Sequence, residues 1–468
     1  MLELAKQNTG DTGVRRRFTP QHGASRTPSI VSTENTVGVK SVSLLAATCI
    51  VVANMVGVGI FTSLHFQVTP LPSGFAILVL WLVGGVVAFC GAVSYAELAA
   101  ALPRSGGEYH FLSRTFHPAA GFLAGWLSAT VGFAAPIALA AMAFATYLHS
   151  MAPSLPQREI SLAIVALTAL VHLRSVVFSG RFQTTATLLK FALIVAFLVA
   201  GVLFDQPEAV SFLPQAGDGA LIASTPFAVS LVYVMYAYSG WNASTYIVGE
   251  VRDPARNIPL SVAIGTGLVV VLYLALNAVF LHVAPMSELA AKMDVGHVAA
   301  SRIFGIEGGR IMAGLISIGL VSSISAMTWV GPRVAMAMGE DWRAMRLLAR
   351  KSSGGVPATA MLVQTAIVAA LLLTSTFEKV LTYVQFALQL CSFVTVLGVI
   401  VLRFTQPGLP RPYRTWGYPF TPLIFLAISG WMLVHIFRSN REESLWGLAT
   451  IASGLVVYFL SEKSAAKP

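Results

Sequence analysis

Stretches of about 20 mostly apolar residues, the length a helix needs to cross a bilayer, recur between residues 43 and 461 with only short polar breaks. The chain has 56% hydrophobic residues, 11% charged residues and a mean hydropathy of +0.75, which excludes a water-soluble protein of 468 residues. We therefore expect an all-α membrane protein with about twelve transmembrane helices. The predicted runs lie near 43–66, 74–101, 118–150, 160–178, 182–204, 223–249, 260–284, 309–339, 358–375, 378–404, 419–438 and 443–461.

Most Lys and Arg residues fall in the breaks on the side of the two termini, which predicts that both termini are cytosolic in an inner or plasma membrane. The same placement accounts for the excess of 30 Lys and Arg over 20 Asp and Glu. No basic stripe is interleaved with aromatic residues, so we expect no nucleic-acid partner. Residues 1–40 are polar and include Arg15, Arg16 and Arg17, which predicts a disordered basic cytosolic arm.

The first run contains Gly57 and Gly59 near its middle, inside the sequence Asn54-Met55-Val56-Gly57-Val58-Gly59-Ile60-Phe61. Two glycines this close allow the backbone to leave the helix at membrane depth. Freed amides at such a break form an anion site where they line a cavity. Close helix packing through the glycines is the alternative interpretation.

The sixth run contains a second candidate break at Ser239-Gly240, within Tyr233-Val234-Met235-Tyr236-Ala237-Tyr238-Ser239-Gly240-Trp241-Asn242. Breaks at corresponding positions of two repeats are a sequence pointer to a transport site at the membrane midplane. The alternative is that these aromatic residues only pack in the protein core.

Among the charged residues within or at the ends of apolar runs, Lys190, Glu97 and Glu250 are candidates for a functional role. Lys190 lies inside the fifth run, where a lysine is costly, so it is a candidate for a group that titrates during transport. Its long stem would alternatively let it reach the cytosolic interface. Glu97 ends the second run and Glu250 ends the sixth, and we expect both to form gate or loop salt bridges near the cytosolic face.

Signatures of enzymes and of bound cofactors or metals are missing from the sequence. It has no Gly-rich phosphate loop with its lysine, no HExxH motif and no nucleophile elbow. Cys49, Cys90 and Cys391 are far apart, each within an apolar run, and form neither a disulfide framework nor a metal pair. We therefore expect a transporter driven by a gradient or by exchange, with no cofactor.

Several motifs in order resemble the amino acid-polyamine-organocation superfamily, especially its L-type amino acid transporter and bacterial permease branches. The resemblance covers about residues 40 to 462. The residues that carry it are Gly57-Val58-Gly59-Ile60-Phe61, Tyr95-Ala96-Glu97-Leu98, Pro103-Arg104-Ser105-Gly106-Gly107-Glu108-Tyr109, Tyr236-Ala237-Tyr238-Ser239-Gly240-Trp241-Asn242, Glu250, Asp253-Pro254 and Arg256-Asn257-Ile258-Pro259.

The resemblance implies the leucine-transporter fold, an inverted repeat of five plus five helices with two helices outside it. Residues 41–404 would then form the transport core, and residues 405–468 the last two helices with a short cytosolic tail. The first break would present amides to the substrate carboxylate, carbonyls of the sixth helix would receive its ammonium group, and Tyr236 would close over it. The implied substrate-binding residues are Val56, Gly57, Val58, Gly59, Tyr236, Ala237 and Ser239.

Lys190 matches a fifth-helix lysine that replaces a sodium ion in sodium-independent members of the superfamily, close to eighth-helix serines that would be Ser322 and Ser323 here. We therefore expect a sodium-independent transporter of small or medium neutral L-amino acids, working by proton symport or exchange. A cationic amino acid or polyamine exchanger is the alternative, and a non-transporting amino acid sensor is a further one. The loop after the third run has no cysteine, so no disulfide-linked heavy chain is expected.

Overall fold

The computed structural model describes residues 42–465 apart from residues 153, 175, 293, 375, 376 and 440. The basic arm predicted for residues 1–40 lies outside the described residues. Within them, the regular structure is helical except for one isolated parallel bridge between Val42 and Val251. The α-helices are α1 Leu44–Met55, α2 Gly59–Thr62, α3 His65–Val68, α4 Gly74–Ala101, α5 Glu108–Thr115, α6 Pro118–Leu127, α7 Ala134–Met151, α8 Gln157–His172, α9 Val176–Val202, α10 Asp218–Ile222, α11 Thr225–Tyr238, α12 Pro254–Val283, α13 Met286–Ala291, α14 Val295–Asp341, α15 Ala358–Thr374, α16 Phe377–Thr405, α17 Phe420–Ser439 and α18 Arg441–Ala465.

Three short segments have a different helical geometry. A π-helical turn, Ser128–Gly132, joins α6 to α7, and 3-10 helices span Ala243–Glu250 and Arg343–Ala349. The long helix α14 is interrupted at Gly305, whose φ of 74° is left-handed. Such interruptions let consecutive helical pieces take different directions.

The predicted membrane runs all appear as helices. Among the described residues, nine helical segments are long and apolar enough to cross a membrane by length and composition. The remaining three runs form α8, α11 and α15, which have 16, 14 and 17 residues. The predicted all-α membrane fold is therefore confirmed, and α11 is short because the chain leaves the helix after Tyr238.

Serine side chains define where several of these helices begin. Ser43, Ser73 and Ser224 each accept a hydrogen bond from the backbone amide three residues later, at the N-termini of α1, α4 and α11. Such caps satisfy one of the amides that a helix start leaves without a partner. The starts of α1, α4 and α11 are thus fixed by local sequence.

Contacts at the helix ends join segments that the twelve-helix topology puts on the same side. Val42 donates a backbone hydrogen bond to Glu250 and accepts one from Arg252, at 3.0 and 2.9 Å. Arg104 pairs with Asp341 at 2.8 Å, again between two predicted cytosolic segments. These pairings agree with the predicted sequence of crossings.

Candidate functional site

The first membrane run is broken where its two glycines lie. Helix α1 ends at Met55 and α2 begins at Gly59, and the amide of Gly57 turns back to the carbonyl of Met55 at 2.9 Å. Among the hydrogen bonds of the described residues, none uses the backbone amides of Val58, Gly59 and Ile60. Free amides at the start of a half-helix are suited to bind a carboxylate.

The sixth run is broken in the same way. Helix α11 ends at Tyr238, Ser239 has extended backbone angles, and Gly240 has a left-handed φ of 97°. A Cβ atom at Gly240 would lie 2.9 Å from the backbone carbon and oxygen of Asn54, so the turn requires glycine for both its angle and its space. The predicted interruptions of the first and sixth runs are therefore confirmed.

The two breaks lie directly against each other. A Cβ atom at Gly59 would lie 2.6 Å from the Cα atom of Ala237, so Gly59 lets the backbones approach closely. The hydroxyl of Tyr273 in α12 is within hydrogen-bond distance of two carbonyl oxygens, that of Met55 at 2.6 Å and that of Ala237 at 3.0 Å. Carbonyl oxygens at or near the ends of α1 and α11 thus lie against the same hydroxyl group.

A cavity of about 340 Å³ lies at the junction of the breaks. Six of the seven predicted substrate-binding residues line it, whereas Val56 lines another, apolar cavity together with Lys190. The lining residues are Asn54, Met55, Gly57, Val58, Gly59, Pro136, Ala140, Tyr236, Ala237, Ser239 and Met327. No acidic or basic side chain is among these lining residues. The groups that could hydrogen-bond a ligand are main-chain groups, the Asn54 amide, and the Ser239 and Tyr236 hydroxyls.

A second, larger cavity of about 770 Å³ adjoins the first and shares Asn54, Pro136, Ser239 and Met327 with it. Its lining includes residues of the π-helical turn and of α16, together with the carboxyl group of Glu108. A π-helical turn inside an α-helix is frequent at functional sites. The space around the breaks therefore extends as far as Glu108.

Lys190 is buried, with 4% of its surface exposed, and does not reach the interface. Its ammonium group donates to the carbonyl oxygen of Val56 at 2.6 Å and to the hydroxyl of Ser323 at 2.7 Å. The Ser323 hydroxyl also donates to the Val56 carbonyl at 2.7 Å. Lys190 thus bonds to the unwound segment of the first run, at the position where the resemblance implies a replaced sodium ion.

The two predicted serines differ in their contacts. Ser323 bonds to Lys190, but the hydroxyl of Ser322 lies 3.3 Å from the amide nitrogen of Gln183 and 3.2 Å from the hydroxyl of Thr187. Ser322 therefore belongs to a buried polar contact between α9 and α14, one turn away from the lysine.

The two predicted gate carboxylates both form ion pairs. Glu97 receives hydrogen bonds from Arg403 at 2.9 and 2.6 Å, and Glu250 receives two from Arg333 at 2.8 and 3.3 Å. Arg333 is 1% exposed, so its charge depends on Glu250 for compensation. These pairs tie α4 to α16 and the end of the sixth run to α14; a role in gating stays a prediction.

Sequence reasoning missed Tyr273, Arg333 and Glu108 as parts of this region. Tyr273 lies in the middle of an apolar run, where a buried hydroxyl needs a partner, and that requirement was a usable signal. Glu108 follows a Ser-Gly-Gly sequence that looks like a cytosolic loop, so its burial at 3% exposure was not visible from the sequence.

Comparison with known proteins agrees with this geometry. The family described as Amino acid permease matches residues 42–460. The chain is 26% identical to b(0,+)-type amino acid transporter 1 of Mus musculus, over 90% of the chain and 88% of the relative. It is 27% identical both to Asc-type amino acid transporter 1 of Mus musculus, over 92% and 82%, and to Large neutral amino acids transporter small subunit 2 of Rattus norvegicus, over 96% and 86%. With helices broken in pairs around a cavity and a family match over most of its length, the chain belongs to the amino acid permease family of membrane transporters.

Proposed function

We propose that this permease carries small or medium neutral L-amino acids without sodium, by proton symport or exchange, through alternating access. The observation that carries the proposal is the cavity between the two breaks. The unused amides of Val58 and Gly59 would bind the substrate carboxylate there. Its ammonium group would bind the free lone pairs of the Tyr236 and Ala237 carbonyls, each of which already accepts one hydrogen bond.

A neutral substrate side chain is favoured by the lining of the 340 Å³ cavity, which contains no charged side chain. Sodium independence is favoured by Lys190, whose ammonium group already bonds to the Val56 carbonyl and to Ser323. An ammonium group at this position makes a bound cation unfavourable.

The test is uptake of labelled amino acids by purified protein in liposomes, with sodium replaced by choline in parallel samples. We expect uptake of neutral amino acids that is the same in both salts. If no labelled amino acid enters under any gradient or preloading condition, the proposal is wrong. Specific ligand binding with no flux would instead indicate the alternative of a sensor.

A cationic amino acid or polyamine exchanger is the second candidate function. The observation that favours it is Glu108, an acidic residue on the wall of the neighbouring 770 Å³ cavity. A competition panel separates the two candidates, because arginine or putrescine would inhibit uptake only for the second.

For the assembly, we propose that no heavy chain is linked to this permease through a disulfide. The relative from Rattus norvegicus is named as a small subunit, and that name describes the relative alone. The chain has three cysteines in all, and each is buried within a helix. A thiol in that position cannot reach an external partner without movement of the backbone. A shift in mass between reduced and non-reduced samples from the native membrane would contradict this.

For the topology, we propose that the termini are cytosolic in a cell membrane, with residues 1–40 as a basic arm, residues 41–404 as the transport core and residues 405–468 as a peripheral pair of helices. Protease protection of tags at either terminus in oriented vesicles tests the orientation.

A further inference from the structure

Glu108 is a buried carboxyl group that has no role in the proposed transport of neutral amino acids. It starts α5 and is 3% exposed. Its Oε1 accepts hydrogen bonds from the hydroxyl of Tyr95 at 2.5 Å, from Ser392 at 3.3 Å and from Asn242 at 3.5 Å. Its Oε2 accepts one from the thiol of Cys391 at 3.3 Å. The carboxyl group therefore joins α5 to α4, to α16 and to the segment after the second break.

Among the described residues, no cation compensates the charge of Glu108. Within the described part of the chain, no Lys, Arg or His nitrogen lies within 4.0 Å of its oxygens. The titratable groups that face it are Tyr95 of α4, Tyr246 of the 3-10 helix and Cys391 of α16. All three are ordinarily neutral near pH 7. A carboxylate buried among neutral groups costs free energy that a bound proton removes.

The position of Glu108 connects this proton with the substrate. Its side chain lines the 770 Å³ cavity, which shares four lining residues with the cavity between the breaks. Asn242, which contacts Glu108, follows Gly240 by two residues and lines the larger cavity as well. Protonation converts charge-assisted hydrogen bonds into weaker neutral ones. It would therefore loosen contacts between α5 and the segment that ends the second break.

A guanidinium group or a metal ion fits this carboxyl group less well than a proton does. Its neighbours Tyr95, Asn242, Ser392 and Cys391 all donate to it, so most of its lone pairs are already engaged and a guanidinium fork has little to bind. A metal ion needs several oxygen, nitrogen or sulfur ligands. The described residues contain no group of three His, Cys, Asp or Glu that could hold one.

We propose that Glu108 is the proton-binding group of this transporter, taking up one proton from the cavity and releasing it on the other side with each substrate molecule. The step makes no covalent bond other than the O–H bond of the carboxylic acid, which breaks again on release. The inference rests on the proposed function, because it presupposes that an amino acid is moved.

The test uses purified full-length protein in liposomes that contain a pH-sensitive dye. Two quantities are measured with labelled alanine: exchange against internal alanine, and net uptake driven by an inward proton gradient together with acidification of the lumen. In Glu108→Gln we expect the ratio of proton-driven uptake to exchange to fall by about tenfold or more, since an amide does not take up the proton. Glu159→Gln is the matched control, because Glu159 is exposed at the start of α8 and should behave as wild type.

If Glu108→Gln does not fold, a second variant, Tyr95→Phe, tests whether Glu108 binds the proton. Tyr95→Phe removes a donor that stabilises the carboxylate, so the pH of half-maximal proton-driven uptake should shift upward by about one unit. An unshifted pH profile in Tyr95→Phe would overturn the inference.

The remaining outcomes separate the inference from the proposed function. If wild-type protein moves alanine without acidifying the lumen, or if Glu108→Gln moves protons at the wild-type ratio, Glu108 is not the proton site although the transporter assignment survives. If the variant loses inhibition by arginine while it still moves protons, Glu108 binds a substrate side chain and the inference is wrong. If wild-type protein moves no amino acid at all, the proposed function itself fails.

Discussion

Replacing Gly59 by alanine tests whether the close approach of the two broken helices maintains the binding cavity. The added Cβ atom would lie 2.6 Å from the Cα and 2.8 Å from the Cβ of Ala237, whereas carbon atoms in contact are about 3.5 to 4.0 Å apart. The nearest obstacle is backbone, which cannot rotate away, so the half-helices must separate by roughly 1 Å. Overpacking of this kind costs about 1 to 3 kcal/mol.

The same separation should weaken substrate binding, because the cavity is formed by the residues that are pushed apart. A loss of about 1 to 3 kcal/mol corresponds to roughly a 5- to 150-fold lower affinity. The assay is equilibrium binding of labelled substrate to detergent-solubilised protein, combined with thermal unfolding in the absence of ligand. We expect both the affinity and the unfolding temperature to fall in Gly59→Ala.

Gly57→Ala provides the matched control within the same motif. A Cβ atom there would meet the Ser323 hydroxyl at 3.8 Å and the Met55 carbonyl at 4.0 Å, which are ordinary contacts. Its cost in stability should stay below about 1 kcal/mol. Equal behaviour of Gly57→Ala and Gly59→Ala, whether both are tolerated or both are damaging, would refute the argument from packing.

Three further substitutions have expected outcomes. Lys190→Ala should abolish or strongly reduce uptake and change its pH dependence, because Val56 and Ser323 lose their ammonium partner; unchanged kinetics over a pH series would remove the lysine from the mechanism. Tyr273→Phe should lower the free energy of unfolding by about 0.5 to 1.5 kcal/mol, measured by denaturation in detergent, and a variant as stable as wild type would argue against the bridge between the breaks. Glu250→Gln should destabilise the protein by about 1 to 3 kcal/mol, because Arg333 keeps a buried charge without an anion. Replacing Arg333 as well by methionine should recover part of that loss, and no recovery would contradict the pairing.

The breaks were predictable from the sequence because they depend on local residue chemistry. Gly57 with Gly59, and Ser239 with Gly240, are pairs that free the backbone at corresponding positions of two apolar runs, which a single glycine in one run would not indicate. Lys190 was predictable for the same reason, since a lysine inside such a run is costly unless it has a partner. The structure adds what that partner is, because the Val56 carbonyl is freed only by the break.

Contacts between distant segments could not be predicted in the same way. Ser322 and Ser323 are neighbours in sequence and face different partners, because successive residues of a helix point about 100° apart and the rotation of α14 is fixed by packing. The burial of Glu108 depends on the return of α5 between α4 and α16, which no local pattern encodes. Sequence patterns thus identify residues that are unusual at their positions, and the packing of the helices determines which residues they contact.

The bridge at Val42 has a mechanical consequence for the transport cycle. The backbone just before α1 is bonded to residues on both sides of Val251, so α1 and the 3-10 helix Ala243–Glu250 are fastened together at their ends. The other halves of the two runs, α2 and α11, meet separately at Gly59 and Ala237. A force on α1 reaches the 3-10 helix through main-chain bonds, with no side chain needed between them. These two segments should therefore move as one rigid unit, and any motion that separates them must first break the backbone hydrogen bonds of Val42.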